Sequence, residues 1–176
     1  MTTSSDRWRT AIHEAGHAIA GHELGGRCVG LALREDGGLA SVYDLHGSTF
    51  AYMVAAGPAA EYLATKHPAP EMPPADVITR EPIDPADSEA SRFEFAVARA
   101  AIQPTHYQSD ARSIALWAIT SHEDDPDSWS RRVRFARHVA DEIVERNVDR
   151  IVRLASELFI RGRLSRVEIE SLLNGA

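Results

Sequence analysis

The chain has 176 residues, of which 44% are apolar and 26% charged, and its formal net charge is -7. This length and composition are typical of one globular domain with a buried core. The negative charge argues against nonspecific binding to nucleic acid or to an anionic membrane, because both interactions require a positive protein surface.

Membrane-spanning and secreted proteins are also disfavoured. No run reaches the roughly 18 apolar residues of a membrane-spanning helix, and the best candidate, at 50–60, contains Gly57 and Pro58. The first ten residues, MTTSSDRWRT, lack the apolar stretch of a secretory signal. Because Cys28 is the sole cysteine, an internal disulfide is excluded, and Cys28 is expected to be a small buried residue. We therefore expect a cytoplasmic protein.

The N-terminal part predicts a helix, a β-hairpin and a second helix. Residues 6–24 repeat apolar side chains at spacings of three and four, as amphipathic helices do. Ser5 or Asp6 is expected to cap the start of this helix. Residues 27–45 contain two β-prone runs separated by EDGG, which is a hairpin signal. A second helix is expected from Ser48.

A proline-rich loop is expected in the middle of the chain. The six prolines between residues 66 and 85 disfavour both helix and central strand. Loops of this length are usually functional or disordered. A third helix is predicted at about 85–102, with Asp84 as its N-cap and a proline in its first position. A fourth helix is predicted over 110–121.

The C-terminal part, 129–176, is predicted to be helical. Residues 129–161 form one long charged amphipathic segment. The closing letters LSRVEIESLL contain Ser165 and Glu168 at the spacing of a capping box. The whole chain, 1–176, is thus expected to be a single, mainly α domain with a small β-hairpin that offers an edge strand.

The first helix carries the letters HEAGH, a match to the HExxH pattern of zinc peptidases. His13 and His17 lie one turn apart on one face, so both imidazoles could bind one zinc ion at about 2.0–2.1 Å. Glu14 would lie beside the ion as the general base for a zinc-bound water. Gly16 suggests that something approaches the helix backbone closely. The alternative is an accidental match on a solvated helix.

A catalytic zinc requires a third protein ligand and an open position. A third histidine six residues after His17 is absent, because that position is Glu23. His22 is half a turn out of phase with His13 and is expected to face away from the site. The pattern of another zinc-peptidase class makes Glu61 a candidate ligand.

Three segments resemble the peptidase domain of the FtsH class of ATP-dependent zinc metalloproteases. HEAGHAIAGHEL is similar to the zinc helix of that family. AAGPAAEYL, at 55–63, resembles its AGRAAEE-type helix, and LSRVEIE, at 164–170, resembles its C-terminal TLxxxEI segment. The resemblance covers residues 6–102 and, more weakly, the tail, whereas the family's ATPase module and membrane anchor have no counterpart in this sequence.

The resemblance implies a zincin-like helical domain whose third zinc ligand is an aspartate at the start of a later helix. Asp84 and Asp87 are the candidates, and Asp87 is favoured because Asp84 is expected to cap the helix. The family has Ala-Thr four and five residues after its aspartate, where this chain has Ser91 and Arg92. With an aspartate as ligand, Glu61 would have a structural role.

These observations predict a zinc-dependent metalloendopeptidase that hydrolyses unfolded or flexible polypeptides. Zinc would be bound by His13, His17 and Asp87, with Glu14 as the catalytic base. The alternatives are a non-catalytic zinc-binding adaptor or assembly protein derived from a peptidase, and a helical interaction protein. A second copy of the chain or a separate ATPase stays open as a partner, and the sequence shows neither.

Overall fold

The computed structural model describes residues 3–35, 37–73, 110–120 and 126–174. The helices are α1 (Ser4–Glu23), α2 (Gly47–Ala60), α3 (Leu63–Lys66), α4 (Asp110–Thr120), α5 (Pro126–Arg146), α6 (Val148–Arg161) and α7 (Arg166–Asn174), and the strands are β1 (Arg27–Arg34), β2 (Gly37–Tyr43) and β3 (Arg163–Ser165). The mainly helical fold with a small β element is therefore confirmed. The predicted third helix, at 85–102, lies outside the described residues.

Helix α1 begins earlier than predicted, and neither Ser5 nor Asp6 is its N-cap. The N-cap is Thr3, whose hydroxyl accepts a hydrogen bond from the Asp6 amide at 3.1 Å. The Asp6 carboxylate in turn accepts a hydrogen bond from the Thr3 amide at 3.3 Å. This reciprocal capping box satisfies two amides that would otherwise have no partner in the first turn. The helix ends at Glu23, and Gly25, two residues further on, has a left-handed φ of 83°.

The predicted hairpin is confirmed as β1 and β2, which pair antiparallel, with a bulge between Cys28 and Gly30. Strand β3 pairs with the other side of β1, so the order is β2-β1-β3 and β2 is an edge strand of the described sheet. Cys28 is buried, as expected, and burial raises the pKa of its thiol to about 12.

Helix α1 is the centre of the fold, because it packs against α2, α6 and both long strands. Ala11, Ile12 and Ala15 on this helix have no exposed surface. A Cβ added to Gly16 would lie 2.7 Å from the Ala56 carbonyl oxygen of α2. The close approach predicted at Gly16 is therefore confirmed, and the approaching group is the backbone of α2.

The segment predicted as one amphipathic stretch at 129–161 is two helices that meet at Asn147. The Asn147 side chain is buried and donates a hydrogen bond to the Ile143 carbonyl at 2.9 Å. This local bond competes with continued helix, which is why α5 ends here. The predicted capping box at the start of α7 is confirmed, since the Ser165 amide donates to the Glu168 carboxylate at 2.7 Å.

The length and composition of the helices in the described ranges bear on whether the chain could cross a membrane. None of them combines the length and the apolar character that crossing a membrane requires.

Candidate metal centre

Three ligand atoms from two helices meet beside the HEAGH turn. The His13 and His17 Nε2 atoms, both on α1, are 3.0 Å apart. The Asp110 carboxylate, at the start of α4, lies 2.9 Å from the His13 Nε2 atom and 3.4 Å from the His17 Nε2 atom. Among the described residues, these three side chains form a group whose ligand atoms are close enough together to hold a metal ion.

The spacing of these three atoms fits a zinc ion. Tetrahedral ligands at about 2.0–2.1 Å from zinc are about 3.3 Å from one another. The observed separations, 2.9, 3.0 and 3.4 Å, differ from this value by a few tenths of an ångström. Two imidazole nitrogens and one carboxylate oxygen are also a donor set that zinc accepts. The residues present therefore fit zinc in both geometry and chemistry.

Hydrogen bonds on the far side of each ring set the orientation of the imidazoles. The His17 Nδ1 atom is 2.9 Å from the Met53 carbonyl oxygen. A carbonyl oxygen only accepts hydrogen bonds, so the proton of a neutral His17 ring must be on Nδ1. The lone pair of Nε2 then points toward His13 and Asp110, as a metal ligand requires.

Glu61 orients the His13 imidazole in the same way. Its Oε1 atom is 2.8 Å from the His13 Nδ1 atom, and its Oε2 atom is 3.9 Å from the Arg9 guanidinium. Glu61 thus contacts the ring nitrogen that faces away from the cluster. The structure supports an orienting role for Glu61 rather than a place among the metal ligands.

The charges in the cluster favour a cation between the three atoms. Burial alone would lower the pKa of His13, but the hydrogen bond to Asp110 and the nearby Glu14 charge outweigh burial and raise that pKa to about 9. Burial likewise opposes ionisation of Asp110, yet the hydrogen bond from His13 holds the pKa of the Asp110 carboxyl well below the usual range. Without a metal, a proton on His13 is therefore the positive charge that the cluster holds.

Gly57 allows α2 to lie directly against the two imidazoles. A Cβ at this position would overlap the His17 Nε2 atom and lie 2.8 Å from the His13 Nε2 atom. Glycine within a helix costs up to about 1 kcal/mol relative to alanine. Its presence here is explained by the space that the ligand nitrogens require.

Glu14 lies on α1 between the cluster and the edge strand. Only 6% of its surface is exposed, and burial raises the pKa of its carboxyl against the opposing influence of His17 and His13. A Cβ on Gly38 of β2 would overlap the Glu14 side chain, so strand and carboxylate are in direct contact. A buried carboxylate with a raised pKa beside a metal site has the properties of a general base.

A scan against known protein families and a search of curated proteins both found no match. The resemblance to the FtsH class therefore depends on the three quoted segments. The functional argument depends on the chemistry of the cluster itself.

The sequence predicted two of the three clustered residues. His13 and His17 converge as expected, Glu14 lies beside them, and His22 is exposed. Both predicted aspartates, 84 and 87, lie outside the described residues. The sequence did carry a signal for Asp110, because it opens the predicted fourth helix and the resemblance implies an aspartate at such a start. That signal was missed because the resemblance stops at residue 102.

Zinc binding should become tighter as the pH rises toward 9. Zinc requires an unprotonated His13 ring, whereas the pKa of this ring in the metal-free protein is raised from 6.5 to about 9. Below that pH, each zinc ion must displace a proton, so the apparent affinity should rise about tenfold per pH unit and level off above it. Competition with a chelator of known affinity measures this slope.

The stability of the metal-free protein should change in the opposite direction. A raised histidine pKa contributes stability that is complete below pH 6.5 and is lost as the pH rises through about 9. Thermal unfolding of the metal-free protein should therefore shift to lower temperature over this range, while the stabilisation by added zinc grows. A zinc affinity that is constant between pH 7 and 8.5 would contradict the assigned charge state of His13.

Proposed function

We propose that this protein is a zinc-dependent endopeptidase in which His13, His17 and Asp110 bind the metal and Glu14 is the general base. The observation that carries the proposal is the meeting of two Nε2 atoms and one carboxylate oxygen beside a buried glutamate. Three protein ligands leave a fourth position for water or substrate, as in catalytic zinc sites. Bound zinc would supply Lewis acidity and lower the pKa of a bound water.

Glu14 would accept a proton from the attacking water and deliver it to the leaving amine. Burial raises the pKa of its carboxyl, which brings its proton affinity closer to what this transfer requires at neutral pH. A zinc site with only a structural role needs no buried carboxylate at this position. The burial of Glu14 therefore supports catalysis over a non-catalytic zinc-binding adaptor.

The sheet supports a polypeptide as the substrate. Strand β2 is an edge strand among the described residues, and its Gly38 lies against Glu14. Extended polypeptides bind such edges through backbone hydrogen bonds. A chain added along β2 would pass beside Glu14, and only an unfolded or flexible segment is free to adopt that conformation.

The resemblance to the FtsH class agrees with this assignment. In that family the third ligand is an aspartate at the start of a later helix, and Asp110 is the first residue of α4. The segment that resembles the family's AGRAAEE-type helix lies at the end of α2. It contains Gly57, which lies against the imidazoles, and Glu61, which orients His13. We propose membership of this class on these grounds.

Zinc-dependent cleavage of an unfolded protein tests the proposed function. The purified chain is loaded with zinc, dialysed, analysed for metal and incubated with casein. We expect one zinc ion to stay bound per chain, and casein to be fragmented in a reaction that a chelator stops and added zinc restores. Failure to retain zinc would contradict any zinc-dependent function, and zinc retained without cleavage would contradict the peptidase proposal.

A further inference from the structure

A concave site lies between helices that also carry parts of the candidate metal site. It is an open cavity of about 480 Å³ between α2, α4 and α5. We call it the aromatic pocket, and its lining residues are Tyr52, Trp117, Ser128, Arg131, Arg132 and Phe135. None of these residues belongs to the metal site, so the proposed catalytic chemistry does not account for the pocket.

Three aromatic rings form the apolar wall of the aromatic pocket. The Tyr52 ring meets the Trp117 ring edge-on with centroids 6.3 Å apart, and it meets the Phe135 ring in the same way at 5.9 Å. Phe135 is 55% exposed, although an aromatic ring usually lies in a core or an interface. Rings arranged in this way can accept another aromatic ring with favourable edge-to-face contacts.

Two of the three helices that line the pocket, α2 and α4, also contribute to the candidate metal site. Tyr52 directly precedes Met53, whose carbonyl orients His17. Trp117 follows Asp110 by seven residues on α4, which is two helical turns on the same face, or about 10 Å. Asp110 and Trp117 therefore lie on one face of α4, at a separation that a short extended segment of polypeptide can span.

The pocket has a positive rim. Arg131 and Arg132 line it, and a guanidinium group stays charged at any physiological pH. Each arginine already has an interaction within the chain, but its five N–H donors allow a further acceptor to bind. Aromatic walls and a cationic rim together match an aromatic side chain that is next to a carboxylate.

We infer that the aromatic pocket is a substrate subsite for an aromatic residue flanked by an acidic residue. This inference rests on the proposed peptidase function and names a substrate class for it. Extended chain rises about 3.3 Å per residue, so the distance of about 10 Å along α4 places the aromatic residue about three positions from the cleaved bond. The pocket would select where in a flexible polypeptide the cut is made.

Peptide binding measured without turnover tests the inference. The protein carries Glu14→Gln, so that bound peptides stay intact, and the probes are fluorescent peptides that contain Phe-Asp, Ala-Asp or Phe-Asn at one position. We expect the Phe-Asp peptide to bind about tenfold more tightly than the Ala-Asp peptide. The Phe-Asn peptide should bind with intermediate affinity, because it keeps the ring and loses the charge.

Matched variants assign the binding to the pocket. Phe135→Ala truncates a ring that is 55% exposed, and it should weaken Phe-Asp binding about tenfold. Leu116→Ala is the control, because Leu116 is 49% exposed on α4 and is not among the lining residues. The control should bind the Phe-Asp peptide as the parent protein does, and thermal melts should be alike for both variants.

The possible results separate the inference from the proposed function. Equal binding of the Phe-Asp and Ala-Asp peptides, or no effect of Phe135→Ala, would overturn the subsite even if casein is cleaved by the parent protein. Phe-dependent binding that needs Phe135 would support the subsite even if casein is never cleaved. The absence of casein cleavage would contradict only the peptidase proposal. In an active protein, cleavage should map about three residues from the phenylalanine of the Phe-Asp peptide.

Discussion

Replacing Glu14 with glutamine should abolish peptide hydrolysis and leave zinc binding intact. Glutamine has nearly the same shape as glutamate, but its amide cannot accept the proton of the attacking water. General bases contribute about 10²–10⁴-fold to rate, so turnover should fall by at least this factor. The zinc ligands proposed here, His13, His17 and Asp110, are unchanged in the variant.

The Glu14→Gln variant should also be at least as stable as the parent protein. Burial raises the pKa of the Glu14 carboxyl, which means that the folded protein disfavours its ionised form. A neutral amide removes this cost at pH 7. A large loss of thermal stability in the variant would show instead that the Glu14 carboxylate is needed for the fold.

The measurements are metal content after dialysis and the hydrolysis rate of a flexible fluorogenic peptide. Glu61→Gln is the matched control, because it makes the same chemical change in a side chain that is 39% exposed. Its amide oxygen can still accept the hydrogen bond from His13, so this variant should keep much of its activity. Undiminished turnover in Glu14→Gln would rule out Glu14 as the base. If the parent protein and Glu14→Gln both retain zinc and neither hydrolyses the peptide, the result would favour the non-catalytic adaptor.

The sequence predicted those parts of the structure that short-range signals determine. The HEAGH spacing places two imidazoles on one helical face, and EDGG between two β-prone runs makes a hairpin. Both features depend on residues that are close together in the chain. The break at Asn147 was missed because an amphipathic pattern continues across it, and only the buried side-chain hydrogen bond to Ile143 reveals the end of α5.

The contacts that complete the site depend on tertiary packing, which periodicity does not reveal. Gly57 appears in the sequence as an unfavourable residue in a helix, and its reason becomes clear only where α2 meets the two imidazoles. Glu61 was a candidate ligand by residue type, and its position at the His13 Nδ1 atom gives it another role. In both cases the packing of α2 on α1 decides what the residue does.

The structure and the sequence favour different aspartates as the third zinc ligand: the structure favours Asp110 and the sequence favours Asp87. Asp110→Asn should lower zinc affinity more than about 100-fold, because the loss of a group that merely orients a ligand already costs 10–100-fold. Asn keeps the size of the side chain and its capacity to accept hydrogen bonds at the start of α4. The matched variant is Asp87→Asn, which changes the aspartate that the sequence favoured and should leave zinc affinity unchanged.

The pH dependence of zinc binding adds a second readout for the Asp110→Asn variant. The hydrogen bond to Asp110 is the largest of the influences that raise the pKa of His13 to about 9. Without that carboxylate the ring should lose its proton at lower pH, so the remaining zinc affinity should level off at lower pH than in the parent protein. Unchanged affinity and an unchanged pH profile in Asp110→Asn, together with weak binding in Asp87→Asn, would assign the third ligand to Asp87. If Asp110 is the third ligand, its replacement must change both the zinc affinity and the pH profile, because this carboxylate also raises the pKa of His13.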